Sequence, residues 1–252
     1  MEQRLSEPAA LSAEHAKLVR KLATIADLTP EEVSGVGGLP LEMRSFPKDA
    51  DIALEGDAPS HCCLIVEGFA ARYKVLGDGQ RQIMSFHMAG DIPDLQSLHL
   101  GVMDHSLGTM TAVTAAFIPH TAVHDLNRRL PGVAAALWRD TLIDAAVFRE
   151  WLTGVGRRSA YTRTAHLVCE VFVRMSSLGL ADRDSFQLPL TQVAMADALG
   201  LSAVHINRVL QDLRGEGLIA SRGRTVVIRD WTGLAKAGDF DAGYLHLRRM
   251  PA

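Results

Sequence analysis

Ser202-Ala203-Val204-His205-Ile206-Asn207-Arg208 is the stretch of this 252-residue chain whose residue types and spacing suit a definite chemistry. Arg208 follows Val204 by four residues, so on a helix both side chains project from one face. A guanidinium there can donate two parallel hydrogen bonds to O6 and N7 of guanine, and a neighbouring valine suits the methyl group of thymine. Ser202 stands where it can cap the helix, whose free N–H groups attract phosphate. Farther on, Ser221-Arg222-Gly223-Arg224 puts two guanidinium groups in a glycine turn, a setting for contacts to the nucleic-acid backbone. Thr191, Ser202, Ala203, Val204, His205, Asn207, Arg208, Arg222 and Arg224 are therefore the candidate DNA-binding residues. The plainer alternative is a helical unit that only packs, with the two turn arginines solvated. No nucleophile motif, phosphate loop or metal-protease spacing occurs, and the chain is not read as an enzyme.

These residues need elements that hold them in place, and the surrounding sequence supplies them. Thr191 can cap a short helix carrying Val193, Ala194, Ala198 and Leu199, which stops at Gly200. Glycine reaches the left-handed conformation without steric cost, so the chain can turn there and plug the corner with Leu201. On the next helix Ile206, Val209, Leu210 and Leu213 fall at i, i+3, i+4 and i+7, one apolar stripe facing the first helix. Leu218-Ile219, the basic glycine turn and Thr225-Val226-Val227-Ile228 then read as a hairpin. Helix, glycine turn, capped helix and basic hairpin in this order predict a winged helix-turn-helix.

Composition bounds the rest. Hydrophobic residues make up 48% and charged residues 22%, the balance of a soluble globular protein long enough for two domains. The net charge of −3 is unevenly spread: residues 1–156 hold 13 lysines and arginines against 20 acidic residues, and residues 157–252 hold 13 against 9. The basic part contains the two-helix unit, and phosphate attraction supplies most non-specific DNA affinity, so double-stranded DNA is the expected partner. No apolar run reaches the length of a bilayer, and the N-terminus lacks the basic start and apolar core of a signal peptide. A cytoplasmic protein without membrane contact is expected. Cys62, Cys63 and Cys169 give neither an even disulfide framework nor metal-ligand spacing.

Taken in order, residues 10–28 have helical apolar spacing and Pro30 can open another short helix. From about Leu41 to Pro119 short runs are punctuated by glycine, among them Asp51–Leu54, Cys63–Val66, Ala70–Leu76, Arg81–His87 and Thr109–Ile118, a pattern that predicts an antiparallel β-sandwich or barrel. Helical spacing returns at Thr121, breaks at Pro131, and then runs for about seven turns through Val133, Leu137, Ile143, Val147 and Trp151. These cannot all be buried against one compact β-domain, so a second copy of the same helix is expected to cover them, making a homodimer. A third amphipathic helix, near Arg158–Leu178, leads into the two-helix unit.

Order and motifs together resemble the Crp/Fnr family of bacterial transcription regulators over nearly the whole chain. Glu55-Gly56-Asp57, Ile65-Val66-Glu67-Gly68, Gly77-Asp78-Gly79 and Gly90-Asp91 are similar to its cyclic-nucleotide-binding-like β-roll, and the long helix and helix-turn-helix follow in register. The resemblance implies an α+β protein: an N-terminal antiparallel β-roll of the double-stranded β-helix or jelly-roll type, a long dimerisation helix and a C-terminal winged helix-turn-helix. It divides the chain into a sensor at 1–130, a dimerisation helix at 131–157 and a DNA-binding domain at 158–252. It further implies a homodimer that reads an inverted repeat, contact with RNA polymerase, and a small-molecule effector held near Gly90, Asp91, Asp94, His105 and Ser106.

Two departures narrow what the resemblance implies. Cyclic-nucleotide-binding members carry a glutamate soon after the glycine at Gly90 and later an arginine for the cyclic phosphate; here Gly90-Asp91-Ile92-Pro93-Asp94 lacks the first, and His105 stands near the second. Imidazole cannot reproduce the permanent, two-pronged grip of guanidinium, so cyclic AMP is not the expected effector. An iron–sulfur cluster needs about four thiolates, and the chain has three cysteines. His120 with His124, and His99 with Asp104 and His105, are spaced so that either set could hold a metal or haem or could simply form hydrogen bonds; no cofactor follows from them.

Overall fold

The computed structural model describes residues 11–248; the signal-peptide reading of the first ten residues lies outside them. Helix α1 (Ala13–Ala23) is capped by Ser12, and α2 (Pro30–Gly37) opens on a capping box between Thr29 and Glu32. Strands β1 (Glu42–Phe46), β2 (Asp51–Ala53), β3 (His61–Glu67), β4 (Ala70–Val75), β5 (Arg81–His87), β6 (Ser106–Thr109) and β7 (Val113–Pro119) follow, with the short helix α3 (Ser97–Leu100) before β6. They form two antiparallel sheets in the orders β1-β7-β3 and β2-β6-β4-β5. Cys63, Ile65, Leu107, Val113 and Ala115 form one core cluster, while Cys62, Leu64 and Val66 join a second with Leu18, Leu22, Val133 and Leu137. Strand β3 is thus buried on both faces, which is why it reads as an unbroken apolar run.

The run from Thr109 to Ile118 is not one strand, as its texture suggested. Thr109 ends β6 in one sheet and Val113 begins β7 in the other. Between them the amides of Met110 and Thr111 both donate to Phe69 O, at 2.7 and 3.3 Å. The neighbouring Gly68 (φ 88°) passes so close that a Cβ there would lie 2.2 Å from Ala112 O.

Helix α4 (His120–Arg129) leads into α5 (Pro131–Arg157), 27 residues long, and α6 (Ala160–Ser177) folds back from it. Here the expectation for the long helix needs correction: Val133, Leu137, Ile143 and Val147 are buried within a single chain, and Trp151 is half-buried. Helices α1, α2, α4 and α6 and the end of the chain cover them, so the β-domain is not the sole surface this face packs against. A different stripe is open. Trp138, Leu142 and Leu152 are 62, 49 and 74% exposed.

The C-terminal unit comprises β8 (Ser185–Gln187), α7 (Gln192–Leu199), α8 (Ala203–Gly215), β9 (Ile219–Arg222), β10 (Thr225–Ile228), α9 (Trp231–Ala237) and a 3-10 turn at Ala242–Leu245. The hairpin is a three-stranded sheet in the order β8-β10-β9; β8, too short to show an alternation, escaped the sequence reading. One core cluster joins Phe86 of β5 and Met88 just after it to Leu167 and Val171 of α6 and to Met195, Ile206 and Leu213 of the two-helix unit.

Candidate nucleic-acid interface and candidate ligand cavity

Helices α7 and α8 meet at 102°, the geometry of a helix-turn-helix. Local chemistry fixes the corner: Thr191 Oγ1 accepts the Ala194 N–H at 3.1 Å, Gly200 is left-handed (φ 60°), and Ser202 Oγ accepts the His205 N–H at 3.2 Å. Ile206, Val209 and Leu213 are buried, so the opposite face of α8 looks outward. That face presents Val204 (79% exposed), His205 and Arg208, with Ala203 and Asn207 at its edges; Asn207 Oδ1 accepts Gln211 Nε2–H at 3.3 Å. The wing places Arg222 and Arg224 on the strand end and turn, both exposed. Among the described residues Arg208, Arg222 and Arg224 enter no ion pair. Side chains of this kind left free on one outward surface can form charge-assisted hydrogen bonds to phosphates and base edges.

A cavity of about 430 Å³ lies where the roll meets α1, α5 and α6. Of the residues expected there, Asp91 and His105 line it. Gly90, Asp94 and Ser106 do not. Asp94 accepts the Cys63 N–H at 2.7 Å, Ser106 Oγ accepts the Glu55 N–H at 3.1 Å, and Gly90 (φ 99°) makes the close approach to α1, beside Lys17 O and Lys21 Cβ.

The cavity also gathers residues that the sequence reading missed. Arg72 on β4 pairs with Asp144, donates to Pro93 O at 2.6 Å and lies 5.8 Å from the centre of the Phe148 ring. Lys21 reaches Asp91 at 2.9 Å and Asp140 at 3.4 Å, and Arg174 reaches Asp91 at 3.1 Å. A charge inside the apolar run of β4 was a usable signal for Arg72, since such a group is tolerated only with partners. Asp140 and Asp144, at i and i+4 on an apolar helix, were another.

Burial shapes how these groups titrate. It works against the Asp91 carboxylate, but Lys21, the His87 hydrogen bond and Arg174 outweigh it and hold its pKa well below the usual range. Burial pushes Asp94 up to about 6 and His87 down to about 4. His105 is lowered by burial and by Arg72, against the pull of Asp104, to whose carboxylate its Nδ1 is hydrogen-bonded at 2.6 Å.

The remaining histidines regroup. His120 bonds to Ser97 Oγ at 3.0 Å, and His99 meets His124 edge-on with ring centres 5.7 Å apart. Among the described residues no group of three or more His, Cys, Asp or Glu is placed to hold a metal ion. The three cysteines are buried, Cys62 and Cys63 in different core clusters and Cys169 on α6, and burial raises all three thiols. They do not fit an iron–sulfur cluster. No single helix among the described residues is long and apolar enough to cross a membrane.

An antiparallel double sheet, a long helix and a winged helix-turn-helix are the architecture of a DNA-binding protein whose helix-turn-helix is attached to a β-roll. Residues 43–129 match the cyclic nucleotide-binding domain family and residues 162–237 the Crp-like helix-turn-helix domain family. The chain is 28% identical to the transcriptional activator protein FnrL of Cereibacter sphaeroides, over 80% of this chain and 83% of that protein. It is 26% identical to the nitrogen fixation regulation protein FixK of Rhizobium meliloti, over 81% of this chain and 89% of that protein. Among solved structures, FixK2 from Bradyrhizobium japonicum superposes with a TM-score of 0.71 at 25% identity, over 79% of this chain and 98% of that one. The chain belongs to the Crp/Fnr family of transcription regulators.

Proposed function

We propose that this regulator is a homodimer that reads an inverted repeat in double-stranded DNA with α8 and answers to a small molecule held in the cavity beside α5. The outward face of α8 carries the reading: Val204, His205 and Arg208 stand exposed on one side of a helix whose other side is locked into the core, with Arg222 and Arg224 alongside. In this reading the arginine of α8 contacts a base, the wing arginines contact phosphates, and the protein regulates transcription rather than catalysing a reaction. It works in the cytoplasm and contacts RNA polymerase, as the family resemblance implies.

The open stripe of α5 supports the dimer. Ala135, Trp138, Leu142, Ala145, Arg149, Leu152 and Gly156 alternate at three and four residues, the 3.5-residue repeat of a two-stranded coiled coil. Trp138, Leu142 and Leu152 are exposed in one chain and would be covered by a second.

Selection of binding sites from random double-stranded DNA tests the function, paired with a salt titration of the selected site. The expected outcome is an inverted repeat with half-site centres about 34 Å apart and an affinity that falls steeply with salt. Absence of any selected sequence, with weak and salt-insensitive binding, would instead point to a ligand-binding module that works through protein contacts.

A further inference from the structure

The buried charges around the 430 Å³ cavity are already matched to one another. Lys21 lies against Asp91 and Asp140, Arg174 against Asp91 and Glu170, and Arg72 against Asp144. An anion arriving at Arg72 would have to expel Asp144, and a cation arriving at Asp144 would have to expel Arg72. The first sets the Asp144 carboxylate beside a second negative charge, and the second strands a guanidinium whose side chain is only 5% exposed, so either is a costly exchange. Most of the remaining wall is apolar, with Ile25, Leu95, Ile143, Phe148, Leu245 and Leu247; its polar groups include His87 and His105, which burial keeps neutral, and Asp104, which is hydrogen-bonded to His105 at 2.6 Å. A neutral apolar molecule gains by covering these groups and disturbs no ion pair.

Two of those wall residues come from an unexpected place. After α9 the chain returns across α5 and α6 to α1. Leu245 is buried against Val147 and Val173, and the Tyr244 hydroxyl donates to Glu170 at 2.7 Å. The Arg248 N–H donates to Thr24 O at 2.9 Å, and its guanidinium donates to Ala26 O at 3.2 Å and pairs with Asp27. Asp239 and His246 both hold φ at 47°, a left-handed backbone that their surroundings must maintain. The segment that follows the DNA-binding unit therefore forms one side of a cavity whose other sides belong to the roll and the long helix.

We propose that this cavity is a site for an uncharged, largely apolar small molecule that packs against Leu245 and Leu247, so that its binding tightens the C-terminal segment onto α1. The proposal rests on reading the cavity as the effector site. It names the ligand class and adds a physical route from that site to the end of the DNA-binding unit.

Titration of the full chain with N-phenyl-1-naphthylamine, a neutral dye that brightens in apolar surroundings, tests it without DNA. One dye per chain is expected, with an affinity unchanged by salt and no displacement by excess inorganic phosphate or cyclic AMP. In hydrogen exchange the bound dye should slow the Arg248 amide. Leu247→Asp alters a half-buried side chain that the fold can spare, and should weaken the dye about tenfold and remove that protection. Competitive displacement by phosphate or cyclic AMP would overturn the ligand class, as would failure of the wild-type chain to bind the dye. Equal affinity in Leu247→Asp, with an unprotected Arg248 amide, would overturn the role of the C-terminal segment. Operator selection is a separate measurement, so failure of DNA reading and failure of this proposal leave different signatures.

Discussion

Arg208 is exposed and has no ion-pair partner among the described residues, so its removal should register on DNA rather than on the fold. Arg208→Ala is expected to cost about 1 to 3 kcal/mol on the best operator and to relax preference at one position of each half-site. Arg224→Ala should differ in kind, weakening all sequences alike and reducing the salt slope by about one unit, as measured by binding at several salt concentrations. A base-reading arginine with the signature of a phosphate contact would displace α8 as the reader. Asp94 belongs to the opposite category, buried and structural. Its pKa is raised from 3.8 to about 6, so the folded chain holds this proton more tightly than the unfolded chain does, and stability is lost as pH rises through that window. The cost at neutral pH is up to about 3 kcal/mol. Asp94→Asn keeps an acceptor for the Cys63 N–H and discards the charge, and should therefore stabilise the protein at neutral pH while changing little near pH 4. Denaturant unfolding of both proteins at the two pH values checks this. A backbone staple is what the sequence could not distinguish from an effector ligand: both roles call for an aspartate after Gly90, and only the placement of Cys63 N–H decides between them.

Helix α5 shows where periodicity misleads at the scale of an element. Two apolar stripes run along it, and the sequence reading took the one built from Val133, Leu137, Ile143 and Val147, which the chain itself buries. The open stripe is diluted by Ala135, Ala145, Arg149 and Gly156, so it gives a weaker apolar signal than the buried one even though its spacing is the regular 3.5-residue repeat. The short helix-turn-helix was legible for the opposite reason: caps and turn are written in single residues, Thr191, Gly200 and Ser202, each of which holds the geometry that its type predicts. The two stripes of α5 predict two different phenotypes. Leu152→Glu charges a side chain that is 74% exposed, and should give a folded monomer with weakened operator binding. Val147→Lys buries an unpaired charge where only 6% of the residue is exposed, and should cost several kcal/mol and unfold the chain before it separates a dimer. Sizing experiments at micromolar concentration, alongside circular dichroism, separate the two outcomes. A Leu152→Glu protein that remains dimeric would remove the 3.5-residue stripe as the seam.

Over the whole molecule, the β-roll and the helix-turn-helix are joined by more than a linker. Phe86 meets Trp151 edge-on at 5.7 Å, Arg81 pairs with Asp197 of α7 at 2.9 Å, and one core cluster runs from β5 through α6 into α7 and α8. Arg174 of α6 sits at the centre of this junction: it donates to Phe86 O at 2.9 Å and lies 3.1 Å from Asp91 on the roll and 3.5 Å from Glu170 on its own helix. Among the described residues its removal would leave Glu170 with the Trp151 N–H and the Tyr244 O–H, at 3.0 and 2.7 Å, and no paired lysine or arginine. Breaking a buried pair by deleting one member typically costs about 3 to 5 kcal/mol, because the abandoned charge stays behind. Arg174→Met, which keeps the stem's volume, should therefore destabilise the fold by about that amount. The continuous core leads us to expect the wild-type chain to unfold in a single calorimetric transition rather than domain by domain. In Arg174→Met the weakened junction should let the two parts come apart, so that the roll and the helix-turn-helix melt at different temperatures. Two separate transitions already present in the wild-type protein would mean that the shared core contributes little, and that the DNA-reading unit moves on the roll without having to break it.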